Sequence, residues 1–362
     1  MRIDGRAYRT IWRAGTAFET IDQTLLPHEI AFRRIDTLAE AVAAIKTMVV
    51  RGAPLIGATA AYGFAIALTR SGDDAMLEEA YRALVSSRPT AVNLKHALDD
   101  VRAVVAPLPA AERGAAAFAR ADEICEEDVK LNLAIGEAGF KLIEAAHKAT
   151  GRAVNVLTHC NAGWLATVDW GTATAPIYLA HDRGVPVHVY VDETRPRNQG
   201  ASLTAFELMH HGVPFTLIAD NAGGHLMQHG KVDLCIVGAD RVTARGDAAN
   251  KIGTYLKALA ARANGVPFYV AAPGTTIDWT LDGGDEIEIE ERDASEVTHI
   301  WGRLEDGRTA RVALAPAGVR AANPAFDVTP AELIDGIITE RGVLGADKAA
   351  LANGFGRSSR EL

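Results

Sequence analysis

At Gly151 the chain changes its hydrophobic period, and this change limits the folds open to it. Before it, apolar residues recur at helical spacing: Leu38, Val42, Ile45 and Val49 lie three or four residues apart. Alanine-rich helical stretches follow at 55–69, 75–87, 91–106 and 110–149, with breakers at Ser71-Gly72-Asp73 and at Pro107 and Pro109. After Gly151 come short, largely β-branched runs: Val154–Thr158, Val187–Val191, Phe215–Ala219, Leu234–Val237 and Phe268–Ala272. Each suits a strand buried on both faces. Helical patterns at 172–183, 201–211, 223–229 and 250–263 separate them. Strands alternating with helices imply right-handed crossovers and a parallel sheet. The expected class is therefore α/β. A helical N-terminal domain (residues 1–150, with a strand-rich lead-in over 1–36) precedes a Rossmann-like, doubly wound catalytic domain (151–362). The residues from Asn353 on are expected to fray.

Charge and cysteine content exclude several partners. The formal net charge is -9, so a nucleic acid or an anionic membrane, which needs a basic footprint, is not expected. No apolar run approaches the roughly 20 residues of a membrane span. The start, Met1-Arg2-Ile3-Asp4, has no apolar signal core. The three cysteines, Cys125, Cys160 and Cys235, form no CxxC and no disulfide framework, which points to a reducing, cytoplasmic setting.

In an open parallel sheet, ligands bind beyond the carboxyl ends of the strands. There the sequence places His159-Cys160-Asn161-Ala162-Gly163, then Asp192-Glu193-Thr194-Arg195-Pro196 leading to Gln199-Gly200, then Asp220-Asn221, then Gly238-Ala239-Asp240-Arg241. Cys125 in a helix and Cys235 in a strand read as small buried hydrophobes. Cys160 stands just past a strand end, where local N–H groups lower a thiol pKa and yield a thiolate base or nucleophile. Asp240 leaves an apolar strand, and apolar surroundings let a carboxyl keep its proton and act as a general acid.

Two segments suit an anion. Arg51-Gly52-Ala53-Pro54-Leu55-Ile56-Gly57 offers a forked cation beside a close backbone approach, and it reads equally as a helix C-cap followed by proline. Asn250-Lys251-Ile252-Gly253-Thr254 opens a helical pattern whose free N–H groups favour phosphate. GxxxxGK[ST] is absent and no GxGxxG opens the first βα unit, so a dinucleotide is not expected. His225 and His229 have helical spacing, but without the HExxH glutamate they read as packed or solvated side chains rather than metal ligands.

Eight segments in register carry a family resemblance. They are RGAPLIG (51–57), SRPTAVNL (87–94), THCNAG (158–163), ETRPRNQG (193–200), GADRV (238–242), NKIGTY (250–255), EERD (290–293) and NPAFDVTP (323–330). Together they resemble the methylthioribose-1-phosphate isomerases of methionine salvage, a family related to the regulatory subunits of initiation factor two-B. The resemblance implies an aldose–ketose isomerase that converts S-methyl-5-thioribose 1-phosphate to the ribulose 1-phosphate, with 5-deoxyribose 1-phosphate as a further substrate. It implies Cys160 and Asp240 as the catalytic pair. Arg51, Gly52, Ala53, Arg88, Gln199, Asn250 and Lys251 would contact the sugar phosphate. It also implies a homodimer that works without metal or organic cofactor. A non-catalytic regulatory subunit and a ribose-1,5-bisphosphate isomerase are the alternatives. Two positions depart from the family pattern: His96 replaces an expected tryptophan, and Trp164 replaces a small residue, which is expected to reshape the pocket beside Cys160.

Overall fold

A computed structural model describes residues 1–88 and 91–357. Pro89 and Thr90 of the SRPTAVNL segment lie outside them, as do residues 358–362. The lead-in forms a three-stranded antiparallel sheet of Ile11–Ala14, Ala17–Ile21 and Phe32–Ile35. Helices then run over Leu38–Lys46, Ala53–Arg70, Asp74–Val85, Val92–Val105 and Ala110–Thr150. Thr37 and Glu40 close a reciprocal capping box at the first of these, and Asp73 caps the third through the Met76 N–H. Ala53–Arg70 is buried almost all round. A helix built mostly of alanine, glycine and large apolar residues suits such a central position.

Among the described residues, six parallel strands follow: Val154–Thr158, Val187–Asp192, Phe215–Ile218, Leu234–Val237, Phe268–Ala271 and Gly336–Thr339. Numbered in that sequence, they lie side by side in the order 6-5-4-1-2-3, and an antiparallel strand, Gly342–Leu344, closes the edge beside the sixth. This is the doubly wound order, and it reverses direction between the first and fourth strands. The crossover helices are Ala175–Asp182, Ala205–His211, Ala222–Gln228 and Thr254–Asn264.

Three features differ from the sequence expectation. A second sheet forms from Ile277–Asp278, Arg241–Thr243, Ala248–Lys251 and Phe326–Thr329, in that order. Its members are short and partly polar, so no apolar run marked them. A hairpin of His299–Arg303 and Thr309–Ala313 also carried no signal. The end of the chain is not frayed through residue 357. Helix Lys348–Gly354 is capped by Asp347, and Phe355 packs edge-on against Trp279 at 6.0 Å.

The long helix Ala110–Thr150 serves both cores. Phe118, Ala121 and Cys125 join the helical core, whereas Ile135, Ala138 and Ile143 join the apolar core around the first strands of the parallel sheet. Trp164 lies in this latter core, 1% exposed. Its bulk therefore packs into that interior. His96 lies exposed on helix Val92–Val105.

On the same long helix, Asp128 accepts the Val168 N–H at 2.7 Å. Burial first, and nearby Asp169 after it, push the carboxyl up to about 7. A carboxyl raised in the fold contributes stability fully present below the unfolded carboxylate range near 4, and that stability is lost as pH rises toward 7. Thermal melts between pH 4 and 8 should therefore show Asp128→Asn with a flatter pH dependence than wild type. Parallel curves would show that Asp128 is ionised throughout.

Candidate active site

The crevice at the switch point receives the loop after the first strand and the loop after the fourth. The first delivers Cys160 and the second Asp240. Cys160 adopts a left-handed conformation, φ 68°. Its N–H donates to Thr194 Oγ1 at 2.8 Å, and its carbonyl accepts from the Thr204 hydroxyl at 2.7 Å. The thiol is thus fixed from both sides of its own backbone. The Asp240 N–H donates to the Ala249 carbonyl at 2.9 Å, which ties the acid to the strand that ends in Lys251.

Electrostatics show which groups share the chamber. The Cys160 thiol lies within reach of Arg51, Lys251 and Asp240, and the Asp240 carboxyl within reach of Lys251, Arg88, Arg51 and Glu290. Burial pushes Asp240 up, and the three cations only oppose it. A neutral acid is the form the sequence predicted. For Cys160 the expectation is overturned: burial pushes the thiol up, against the pull of Arg51 and Lys251. Local N–H groups do act on it, but the loss of hydration outweighs them. Lys251 is itself buried, and burial moves its ammonium down from the ordinary lysine range.

Arg51 is held by Asn161, whose side-chain oxygen accepts one guanidinium N–H and whose carbonyl accepts another at 2.6 Å. Asn161 is in turn oriented by Glu207, which sequence reasoning missed. This buried carboxylate accepts the Asn161 amide at 2.9 Å, the Trp164 and Leu165 N–H groups at 3.0 and 2.9 Å, and the Tyr178 hydroxyl at 2.7 Å. A Cβ at Gly163 would stand 1.8 Å from Glu207 Oε2, so only glycine allows this packing. No signal marked Glu207, because it sits in an ordinary helical pattern a long way along the chain.

Gly52, at φ 97°, precedes helix Ala53–Arg70 and lies against Ala166. A Cβ there would meet the Ala166 carbonyl oxygen at 2.5 Å. Gly52→Ala should therefore shift the helix start away from the Cys160 loop and raise KM by roughly tenfold, equivalent to ~1.4 kcal/mol. Steady-state kinetics check this, and an unchanged KM would show that the approach is not needed for binding.

The remaining expected residues fall in place unequally. Arg88 reaches Glu290 at 3.4 Å, and its buried Nε has no partner. Gln199 is buried with Oε1 unpartnered. It lines, with Arg51, Met48, Arg197 and Trp301, a groove of about 1130 Å³. Cys160 and Asp240 do not line that groove, whereas Arg51 faces both it and the buried pair. Asn250 and Lys251 end a strand and do not open a helix, and the Asn250 amide donates to Thr254 Oγ1 at 3.0 Å. The helix start beyond them is not a free anion cradle. Asp327 already accepts the Gly253 and Tyr255 N–H groups, at 2.7 and 3.1 Å.

Among the described residues, His159, Asp192 and Asp220 have the spacing of metal ligands. The Lys257 ammonium stands there instead, 3.1 Å from Asp192 and donating to the Asp220 carbonyl. The His225 and His229 rings lie 4.2 Å apart, tilted by 44°, on the exposed side of their helix.

The family model described as the Initiation factor 2 subunit family matches residues 49–346. The chain belongs to this family. It is 62% identical, over 358 residues, to the methylthioribose-1-phosphate isomerase of Paramagnetospirillum magneticum, covering 98% of this chain and 99% of that one. Its structure is similar to that of 5-methylthioribose 1-phosphate isomerase from Pyrococcus horikoshii OT3, with a TM-score of 0.85 and 41% identity over 97% of this chain and 96% of that one. A structure from A. fulgidus described as translation initiation factor eIF-2B, subunit delta, matches at a TM-score of 0.80 and 37% identity, over 97% of this chain and 100% of that one.

Proposed function

We propose that this chain isomerises S-methyl-5-thioribose 1-phosphate to S-methyl-5-thioribulose 1-phosphate, a step of methionine salvage, with Cys160 and Asp240 as its reacting groups. The observation that carries the reading is that both acids are buried and raised in one chamber, under Arg51, Arg88 and Lys251. A merely structural crevice gains nothing from two such groups.

The substrate is a furanose locked by its C1 phosphate ester, so it holds no free aldehyde. Ring opening needs a proton on the ring oxygen, and neutral Asp240 supplies one. Hydrogen must then move from C2 to C1. On a proton-transfer route the Cys160 thiol gives its proton to the Asp240 carboxylate left by ring opening, under the pull of Arg51 and Lys251; the thiolate then takes the C2 proton, returns it at C1, and is reprotonated from the 2-hydroxyl as the ketone forms. A C2-to-C1 hydride shift reaches the same ketose without taking a proton from carbon, the 2-hydroxyl proton passing to the Asp240 carboxylate. Arg51, Lys251 and the N–H groups at the start of helix Ala53–Arg70 hold the phosphate, with Gly52 allowing the close approach. Arg88, Gln199 and Asn250 contact the sugar; the first two bring buried polar atoms without partners. No step requires a metal or an organic cofactor.

The chain works in the cytoplasm, consistent with its three free cysteines. It works as a homodimer, for which exposed Met209, Leu217, Leu256 and Leu259 supply apolar surface.

The test compares kcat/KM for methylthioribose 1-phosphate, 5-deoxyribose 1-phosphate and ribose 1,5-bisphosphate. The first should be the best substrate, and the second should follow closely because a small apolar difference discriminates weakly. Preference for the bisphosphate would replace this reading.

A further inference from the structure

His159 lies beside the reacting thiol in sequence, yet its imidazole points away from the chamber into a second buried network. His159 is 1% exposed. Nδ1 stands 2.7 Å from Asp192 Oδ2, and Nε2 stands 2.8 Å from the Ile252 carbonyl oxygen. The Ile252 carbonyl can only accept, so Nε2 carries a hydrogen and donates to it, while Nδ1 faces the Asp192 carboxyl. Further polar groups surround the pair. Asp192 on the second strand is 3.1 Å from Lys257 on helix Thr254–Asn264. Asp220, after the third strand, lies 3.9 Å from Nδ1 and accepts the Thr194 and Arg195 N–H groups at 2.7 Å each. Asp327 of the second sheet is within electrostatic reach of both His159 and Lys257.

A buried charged cluster costs desolvation that an apolar cluster of equal volume avoids, so it is a poor device for stability alone. Its placement gives it another use. His159 immediately precedes Cys160, and Ile252 immediately follows Lys251. The Nε2–H···O=C bond therefore joins the loop that carries the thiol to the segment that carries the ammonium. Asp192 fixes the ring in the orientation that makes this bond.

We propose that His159, held by Asp192, is a positioning residue that sets the Cys160 loop against the Lys251 segment through its hydrogen bond to the Ile252 carbonyl. The proposal rests on the reading of Cys160 and Lys251 as reaction-site groups.

Two substitutions separate positioning from packing. In His159→Gln the carboxamide nitrogen reaches about as far as Nε2 and keeps a donor toward Ile252. In His159→Asn the shorter side chain keeps a donor toward Asp192 and loses the tie. Both remove the ring from a buried site and should lower Tm by similar amounts. His159→Asn should lose roughly 10² in kcat, the usual effect of a reacting group displaced by about an ångström, while His159→Gln stays within about tenfold of wild type. Equal kcat in the two variants, or Asn outperforming Gln, overturns the proposal.

If either histidine variant fails to fold, Asp192→Ala carries the test, because it removes the acceptor at Nδ1 and frees the ring. A fall in its kcat supports the proposal, and a folded Asp192→Ala with wild-type kcat overturns it. Cys160→Ser is assayed alongside. An inactive Cys160→Ser with unaffected His159 variants removes the positioning role alone. An active Cys160→Ser removes the site reading, and this proposal with it.

Discussion

Cys160→Ser should lose at least ~10² in kcat while the protein melts within a few degrees of wild type. The geometry supports both halves of that expectation. The backbone of Cys160 is held by Thr194 and Thr204 through its own N–H and carbonyl, and neither bond involves sulfur. A serine fits the same left-handed position with nearly the same volume. It cannot offer a proton or a nucleophile of comparable acidity, because a hydroxyl is a far weaker acid than a thiol. The raised thiol gives a second readout. Burial holds Cys160 protonated, and Lys251 opposes burial. Carboxymethylation of the wild-type thiol should therefore accelerate only on the alkaline side of an ordinary cysteine. Lys251→Ala should move that midpoint higher still. Retained turnover in folded Cys160→Ser would make the thiol a bystander.

Asp240→Asn should lower kcat by roughly 10²–10⁴ with little change in KM, the usual worth of a general acid. Asparagine keeps the shape and a hydrogen-bond donor but has no transferable proton. Lys251→Ala should behave in the opposite way, raising KM because a phosphate partner is gone. The pH profile follows from the direction of the shift. Burial raises Asp240, so its protonated, active form persists above the ordinary carboxylate range. kcat/KM should fall as pH rises through the raised value. The stability contribution has the same sign: it is fully present below the unfolded carboxylate range and lost as pH rises through the folded one. A variant that only raises KM would make Asp240 a sugar-hydroxyl ligand.

The parallel sheet was legible because its strands are buried on both faces and read as continuous β-branched runs. The second sheet was not, because Ala248-Ala249-Asn250-Lys251 has neither alternation nor β-branching. That gap misplaced Asn250 and Lys251 onto a helix start. It also hid Asp327, which fills that start from a distant strand. Polar residues at strand ends were read as one set, but they divide into two. Cys160 and Asp240 enter the chamber, while His159, Asp192 and Asp220 form the network outside it. Strand position predicts which edge a residue reaches. It does not predict which way the side chain turns. The direction of the Cys160 shift was misread for a related reason: desolvation depends on tertiary enclosure, which the local sequence does not display. Glu207 acts through Asn161, 46 residues away, so spacing could not reveal it.

The most direct test of the central claim is the fate of methylthioribose 1-phosphate mixed with the pure protein in EDTA, followed by ³¹P NMR. The anomeric phosphate-ester signal should give way to that of a primary ketose 1-phosphate, with no inorganic phosphate released. A substrate signal that stays unchanged in the presence of correctly folded protein would contradict the account.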